Sequence, residues 1–217
     1  MVLVRIINYL MEKKIKNDDY DYLFSIIILG DSLVGKTSVT RRYIKNSFSE
    51  EHELVIGFSM EKKYIVKDNK LIKLLIIDKF NPSERFAPLP KKYFKGKEGA
   101  IIVYDSNAPF FGNTYDNIKE NIELIKTNAD LDTKIILFEN KCDLEKNIEI
   151  EEKIIKLANE YRIKHFEVSA KTGYNINEGF DSLINDMIEK ENIESNKNNI
   201  KLNNKAHKNE KNKKCIK

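Results

Sequence analysis

Residues 23–37 read LFSIIILGDSLVGKT, and this stretch decides the architecture. Leu23 to Leu29 is a short Ile-rich run stopped by Gly30, the pattern of a strand buried on both faces. Gly30-Asp31-Ser32-Leu33-Val34-Gly35-Lys36-Thr37 then fits G-x-x-x-x-G-K-[ST], and a helical stretch follows from Lys36 to about Lys45. In that setting the two glycines let the backbone turn tightly around a phosphate. Successive N–H groups point inward, and the helix N-terminus adds its partial positive charge. Lys36 brings a full charge to the outer phosphates, and the Thr37 hydroxyl is placed to ligate Mg²⁺. A nucleoside triphosphate is the expected ligand.

Outward from this loop, Met60 to Val66 and Leu71 to Ile77 flank Lys67-Asp68-Asn69-Lys70, whose central Asp-Asn pair suits the turn of an antiparallel hairpin. The second of these runs ends in Asp78, a candidate acidic partner for the magnesium ion. Gly99 to Tyr104, Lys134 to Phe138 and Lys164 to Val168 read as further strands. Helical patterns at about Asn113 to Asn128, Glu149 to Tyr161 and Asn175 to Glu189 separate or follow them. Such alternation implies crossover units and a mainly parallel sheet covered on both faces. Two strands end in loops with chemistry: Asn140-Lys141-Cys142-Asp143 and Ser169-Ala170-Lys171. A carboxylate at Asp143 can accept from both the N1–H and the exocyclic amine of guanine, an arrangement adenine does not offer, while Lys141 can lay its stem along the base.

With these motifs in place, the sequence resembles the Ras superfamily of small GTPases, most closely the Rab family, over roughly Asp21 to Lys190. GDSLVGKTS (Gly30 to Ser38), NKCD and SAK carry the likeness. Tyr20 to Gly30 looks like a Rab first strand, and Ile56-Gly57, Lys73 to Asp78, Arg85-Phe86 and Tyr93-Phe94-Lys95-Gly96 stand where Rab proteins carry family-marking segments. The resemblance implies an α/β P-loop NTPase fold: a six-stranded, mostly parallel sheet with one antiparallel edge strand, and five helices spread over both faces. It implies GTP or GDP with Mg²⁺. Gly30, Asp31, Ser32, Leu33, Val34, Gly35, Lys36, Thr37 and Ser38 would line the phosphates. Asn140, Lys141, Asp143, Ser169, Ala170 and Lys171 would line the base, Phe48 would pack across the guanine, and Thr37 and Asp78 would serve the metal. Effectors reading the switch surface, an exchange factor, an activating protein and a place on the cytosolic face of an endomembrane come with the family.

Hydrolysis and switching need parts that binding does not. The switch I threonine position holds Val55, which has no oxygen to offer. After Asp78 the chain reads Lys79-Phe80-Asn81-Pro82-Ser83-Glu84-Arg85-Phe86, one residue longer than the family's segment. Depending on the anchor, Pro82 or Asn81 replaces the glycine, and Ser83 or Pro82 replaces the glutamine that orients the attacking water; proline has no N–H to give a γ-phosphate. No catalytic residue is therefore assigned. Slow GTP hydrolysis and poor separation of GTP from GDP are expected, and a nucleotide-stabilised interaction module without useful turnover is the alternative. A P-loop ATPase or kinase is disfavoured by NKCD and SAK.

Composition agrees with a folded domain and unlike ends. The chain has 217 residues, 41% hydrophobic and 33% charged, and holds no apolar run of the ~20 residues a membrane-spanning helix needs. Collagen, coiled coil and full disorder are excluded. The two cysteines, Cys142 and Cys215, lie in different surroundings, which points to a reducing compartment, and Cys142 is expected to be a buried structural thiol. Residues 191–217 carry eight Lys against three Glu, a net +5 out of the total of +4, so the rest of the chain is near −1. This Lys- and Asn-rich segment lacks the apolar content to order itself and reads as a disordered arm. It lacks aromatic residues for stacking bases, so nucleic acid is not an expected partner. Cys215-Ile216-Lys217 is neither a double-Cys ending nor a C-a-a-X box; one prenyl chain with the basic arm, or a free cytosolic arm, are both open. Residues 1–20 form an N-terminal extension, and 21–190 the nucleotide-binding domain. Leu3, Ile6, Ile7, Leu10 and Met11 fall on one helical face, read either as a membrane- or domain-packing helix or as an extension upstream of a start at Met11. His52, His165 and His207 show no metal-ligand spacing.

Overall fold

The Ile-rich run forms β1 (Tyr22–Leu29), the middle of a six-stranded sheet. A computed structural model describes residues 11–50, 57–80, 91–105 and 114–214, with side chains for all of these except 57–58, 79–80 and 196–214. The expectations placed on Val55, Ile56, Asn81, Pro82, Ser83, Arg85, Phe86 and Cys215, and on the helical face of residues 1–10, lie outside the described residues.

After β1 come α1 (Lys36–Lys45), β2 (Gly57–Lys67), β3 (Lys70–Phe80), a 3₁₀ turn (Lys91–Tyr93) and β4 (Gly99–Tyr104). Then follow α2 (Thr114–Asn128), β5 (Lys134–Glu139), α3 (Ile148–Tyr161), β6 (Lys164–Glu167) and α4 (Ile176–Lys214). The strand order is β2-β3-β1-β4-β5-β6. Only β2 is antiparallel, pairing with β3 across a turn in which Asp68 (φ 49°) and Asn69 (φ 60°) both take the left-handed conformation of a tight hairpin. The chain builds outward from β1 first to β2 and β3 on one side and then to β4, β5 and β6 on the other. The loop after β1 therefore opens at the point where the sheet reverses its order, the usual place for a ligand in such sheets.

Alternation along β1 sends Phe24, Ile26 and Ile28 into one core and Ile27 and Leu29 into the other. Val39 and Tyr43 of α1, with Phe180, Leu183, Ile184 and Met187 of α4, complete the first. Ile118, Ile122 and Ile125 of α2, with Ile154, Leu157 and Ala158 of α3, complete the second. Tyr43 and Phe180 stack with ring centres 3.7 Å apart and planes 4° from parallel, which clamps α1 to α4.

Two expectations are corrected. The last helix runs to Lys214 where the sequence placed its end near Glu189 and a disordered arm beyond; no Gly or Pro after Gly179 interrupts it. Cys142 is half-buried, not buried. Of the five helices implied by resemblance, four follow Lys36 among the described residues, and 81–90 lies outside them; residues 11–16 add a short helical segment ahead of β1.

Candidate functional site

Backbone conformation makes the phosphate loop. Gly30 (φ 136°) and Gly35 (φ 96°) occupy regions closed to most side chains, and a Cβ on either would collide, with the Val103 carbonyl in one case and Asn140 Nδ2 in the other. Leu33 also sits at positive φ (65°) and is 53% exposed, a conformation that carries backbone strain for a branched side chain. Lys36 is 9% exposed and folds back over the loop, donating to Gly30 O at 2.9 Å and Asp31 O at 2.6 Å. Burial lowers its pKa, opposed by the Asp78 and Asp31 carboxylates. Asp31 is held in turn by Asn117 of α2, whose Nδ2 donates to its carboxylate at 3.0 Å.

Asp78 lies in β3 opposite Ser59 and is 3% exposed. Burial raises its pKa, against the effects of a hydrogen bond with Thr37 and the charge of Lys36. Its Oδ1 is buried without a hydrogen-bond partner, a costly state for a carboxylate oxygen and one that a bound cation would satisfy. Thr37 and Asp78 thus fit a hard cation that prefers oxygen ligands, as Mg²⁺ does.

The base loops meet the phosphate loop through one side chain. Asn140 donates from Nδ2 to Val34 O at 2.8 Å and accepts at Oδ1 from Ala170 N at 3.0 Å. Ser169 donates from Oγ to Asp143 Oδ1 at 2.6 Å and accepts from Thr172 N at 3.1 Å, which aims the carboxylate and ties the two base loops together. Lys141, itself at positive φ (68°), pairs with the buried Asp105 at 2.8 Å. Phe48 is half-buried against the first core, and Glu50, shortly after it, pairs with Lys171 at 3.1 Å. All the expected phosphate- and base-loop residues therefore converge at one end of the sheet.

Sequence reasoning missed several supports. Asp105 directly follows β4 as Asp78 closes its apolar run, so an acid at a strand end was there to be noticed. Arg42, Asn117 and Glu50 carried no signal. Nor did a polar cluster behind the NKCD loop, where Glu139 is 1% exposed. Tyr104 Oη lies 2.8 Å from His165 Nε2, which is 3.6 Å from Glu139 Oε2. Lys146 reaches Glu167 at 2.8 Å, Glu151 at 3.1 Å and Glu139 at 3.7 Å. Burial disfavours the Lys146 charge, but these carboxylates outweigh it and raise its pKa.

Residues 25–189 match the sequence model of the Ras family. Ras-related protein Rab-13 of Canis lupus familiaris is 36% identical over 170 residues, covering 78% of this chain and 82% of the relative. Ras-related protein Rab-8B of Homo sapiens is 36% identical over 181 residues, 83% and 86% of the two chains. Ras-related protein Rab-8 of Diplobatis ommata is 35% identical over 182 residues, 83% and 85%.

Proposed function

The chain belongs to the Ras family and is Rab-like over most of its length, and on that premise we propose that it binds GTP and GDP with Mg²⁺ in vesicle traffic and hydrolyses GTP slowly. The loop amides from Gly30 to Thr37 and the Lys36 charge take the phosphates. Thr37 and Asp78 hold Mg²⁺, which when bound offsets phosphate charge. Asp143, oriented by Ser169, accepts from the guanine edge, with the Lys141 stem on the base and Phe48 beside it. The Asn140 side chain carries this assignment: it bonds both the phosphate loop and the Ala170 loop, so that one ligand of nucleotide length is addressed at both ends.

Slow turnover is proposed because Val55 stands where the switch I oxygen belongs, and either Pro82 and Ser83 or Asn81 and Pro82 stand where the glycine amide and the glutamine belong. The direct test is nucleotide analysis of the purified full chain, followed by loading with GTP and single-turnover phosphate release. About one guanine nucleotide per chain is expected, with release below the roughly 3–5 × 10⁻⁴ s⁻¹ of intrinsic Ras hydrolysis. Protein that emerges empty and ignores GDP and GTP with Mg²⁺ overturns the binding assignment; release at or above that rate overturns only slow turnover.

The same three substitutions favour a second reading, a nucleotide-stabilised module whose partners recognise one constitutive surface, since a ligand shifts a two-state element only by its differential affinity. Partner capture that is equal with GDP and a GTP analogue supports it; strong preference for the analogue restores an ordinary switch. Among the described residues no helix is long and apolar enough to cross a membrane. Association with an endomembrane surface is proposed through the Lys-rich arm and Cys215, and mass spectrometry of the C-terminal peptide would reveal a prenyl group there.

A further inference from the structure

Arg42 sits on the last turn of α1, the helix that begins at the phosphate loop. Its guanidinium spends its donors in two directions. Nε donates to Ala170 O at 2.8 Å and Nη2 to Lys171 O at 2.7 Å, while Nη1 donates to the backbone and side-chain oxygens of Asn46 at 3.1 and 3.3 Å. The stem runs beneath Gly173, where an added Cβ would stand 3.6 Å from Arg42 Cδ. The Ala170 residue is thus gripped on both sides: Asn140 accepts from its N–H and Arg42 donates to its C=O. Asn46, the left-handed cap of α1, is also the start of the segment that carries Phe48 and Glu50, and Glu50 closes back onto Lys171.

We propose that Arg42 is a positioning residue for base recognition, fixing the loop of residues 169–173 at the spacing a guanine requires. None of these bonds goes to the phosphate loop, Thr37 or Asp78; Arg42 acts through the two carbonyls that follow Ser169, the residue that aims Asp143. A planar fork of donors spans two successive carbonyls as a single ammonium cannot, so lysine is a partial replacement. This inference rests on the guanine-binding assignment above. A role confined to capping α1 makes a different prediction, because it needs only the bonds to Asn46.

The test uses the full chain and competition of unlabelled GDP and IDP against a fluorescent GDP at fixed Mg²⁺. IDP keeps both phosphates and lacks the 2-amino group that Asp143 would accept from. The unmodified protein should prefer GDP. Arg42→Ala should weaken GDP by roughly tenfold to a hundredfold, the scale of charge-assisted hydrogen bonds, with a smaller loss for IDP, so that the GDP-to-IDP preference collapses. Arg42→Lys should fall between, and Asn46→Ala should keep the preference. Equal losses for both nucleotides, an unchanged preference in Arg42→Ala, or Asn46→Ala reproducing its effect would each overturn the inference. Should Arg42→Ala not fold, Arg42→Lys decides in the same way: a reduced preference supports positioning and an unchanged one overturns it. Unmodified protein that binds GDP and IDP alike would instead remove the base-pocket assignment, and this inference with it.

Discussion

At the scale of single residues, the site stores unfavourable groups that a ligand would relieve. Asp78 is the clearest, a carboxylate buried in β3 with Oδ1 lacking a hydrogen-bond partner and its pKa raised by burial. Asp78→Asn removes the tendency to place a charge there while preserving shape. Nucleotide-free protein carrying it should be more stable to urea by about 1–2 kcal/mol, since buried charges cost more than buried neutral amides. The same variant should lose the Mg²⁺ dependence of nucleotide release. Lower stability without ligand would show that Asp78 is satisfied in the free protein after all. Asn140 behaves differently: both ends of its amide are bonded, so it links the loops without strain. Its presence was plain in the NKCD motif, but its two partners, Val34 and Ala170, depend on loops far apart in sequence meeting in space.

At the scale of elements, the decisive contact is α4 against the sheet. Gly179 faces the Phe138 ring of β5 so closely that a Cβ would overlap it, and the next residue, Phe180, stacks on Tyr43 of α1. Gly179→Ala should therefore push α4 outward and destabilise the fold by about 1–3 kcal/mol, the usual cost of overpacking, in place of the gain that Gly to Ala gives in an open helix. Thermal melting measures this directly, and a raised Tm would show that the Phe138 ring gives way freely. Because α1 moves with α4 through Tyr43, and Arg42 adjoins that residue, weakened GDP binding should accompany the loss. The helical period near residues 175–189 was readable, but nothing in it marked Gly179 as a docking point, since glycine inside a helix ordinarily reads only as a weak position.

At the scale of the whole molecule, the buried cluster behind the NKCD loop couples stability to pH. His165 faces Tyr104 of β4, Glu139 of β5, Lys146, Glu151 of α3 and Glu167 of its own strand. Burial lowers its pKa below the ordinary 6.5, with Glu151 and Glu167 opposing and Lys146 assisting. Below about pH 6.5 the unfolded chain takes up a proton on this residue that the folded protein resists. Stability is therefore fully present above that value and declines as pH falls. Urea unfolding of nucleotide-free protein should show lower stability at pH 5.5 than at pH 7.5, and His165→Gln should shrink the difference. Glu167, whose pKa is lowered by its bond to Lys146, loses its contribution only at more acidic pH, so it does not confuse this window. An undiminished pH effect in the variant would place the sensitivity elsewhere.

By itself the sequence determined the order of strands and helices, the antiparallel hairpin, the phosphate loop and the two base loops. Each is a local pattern: apolar period, glycine placement and short motifs fix backbone shape within a few residues. Tertiary structure alone decided what holds those loops in place. Arg42 reaches Ala170 across 128 positions and Asn117 reaches Asp31 across 86, and Glu139 meets His165 only because β5 and β6 are neighbours. Side-chain hydrogen bonds and buried charges are set by which surfaces the folded sheet brings within about 3 Å, and a one-dimensional pattern carries no record of that distance.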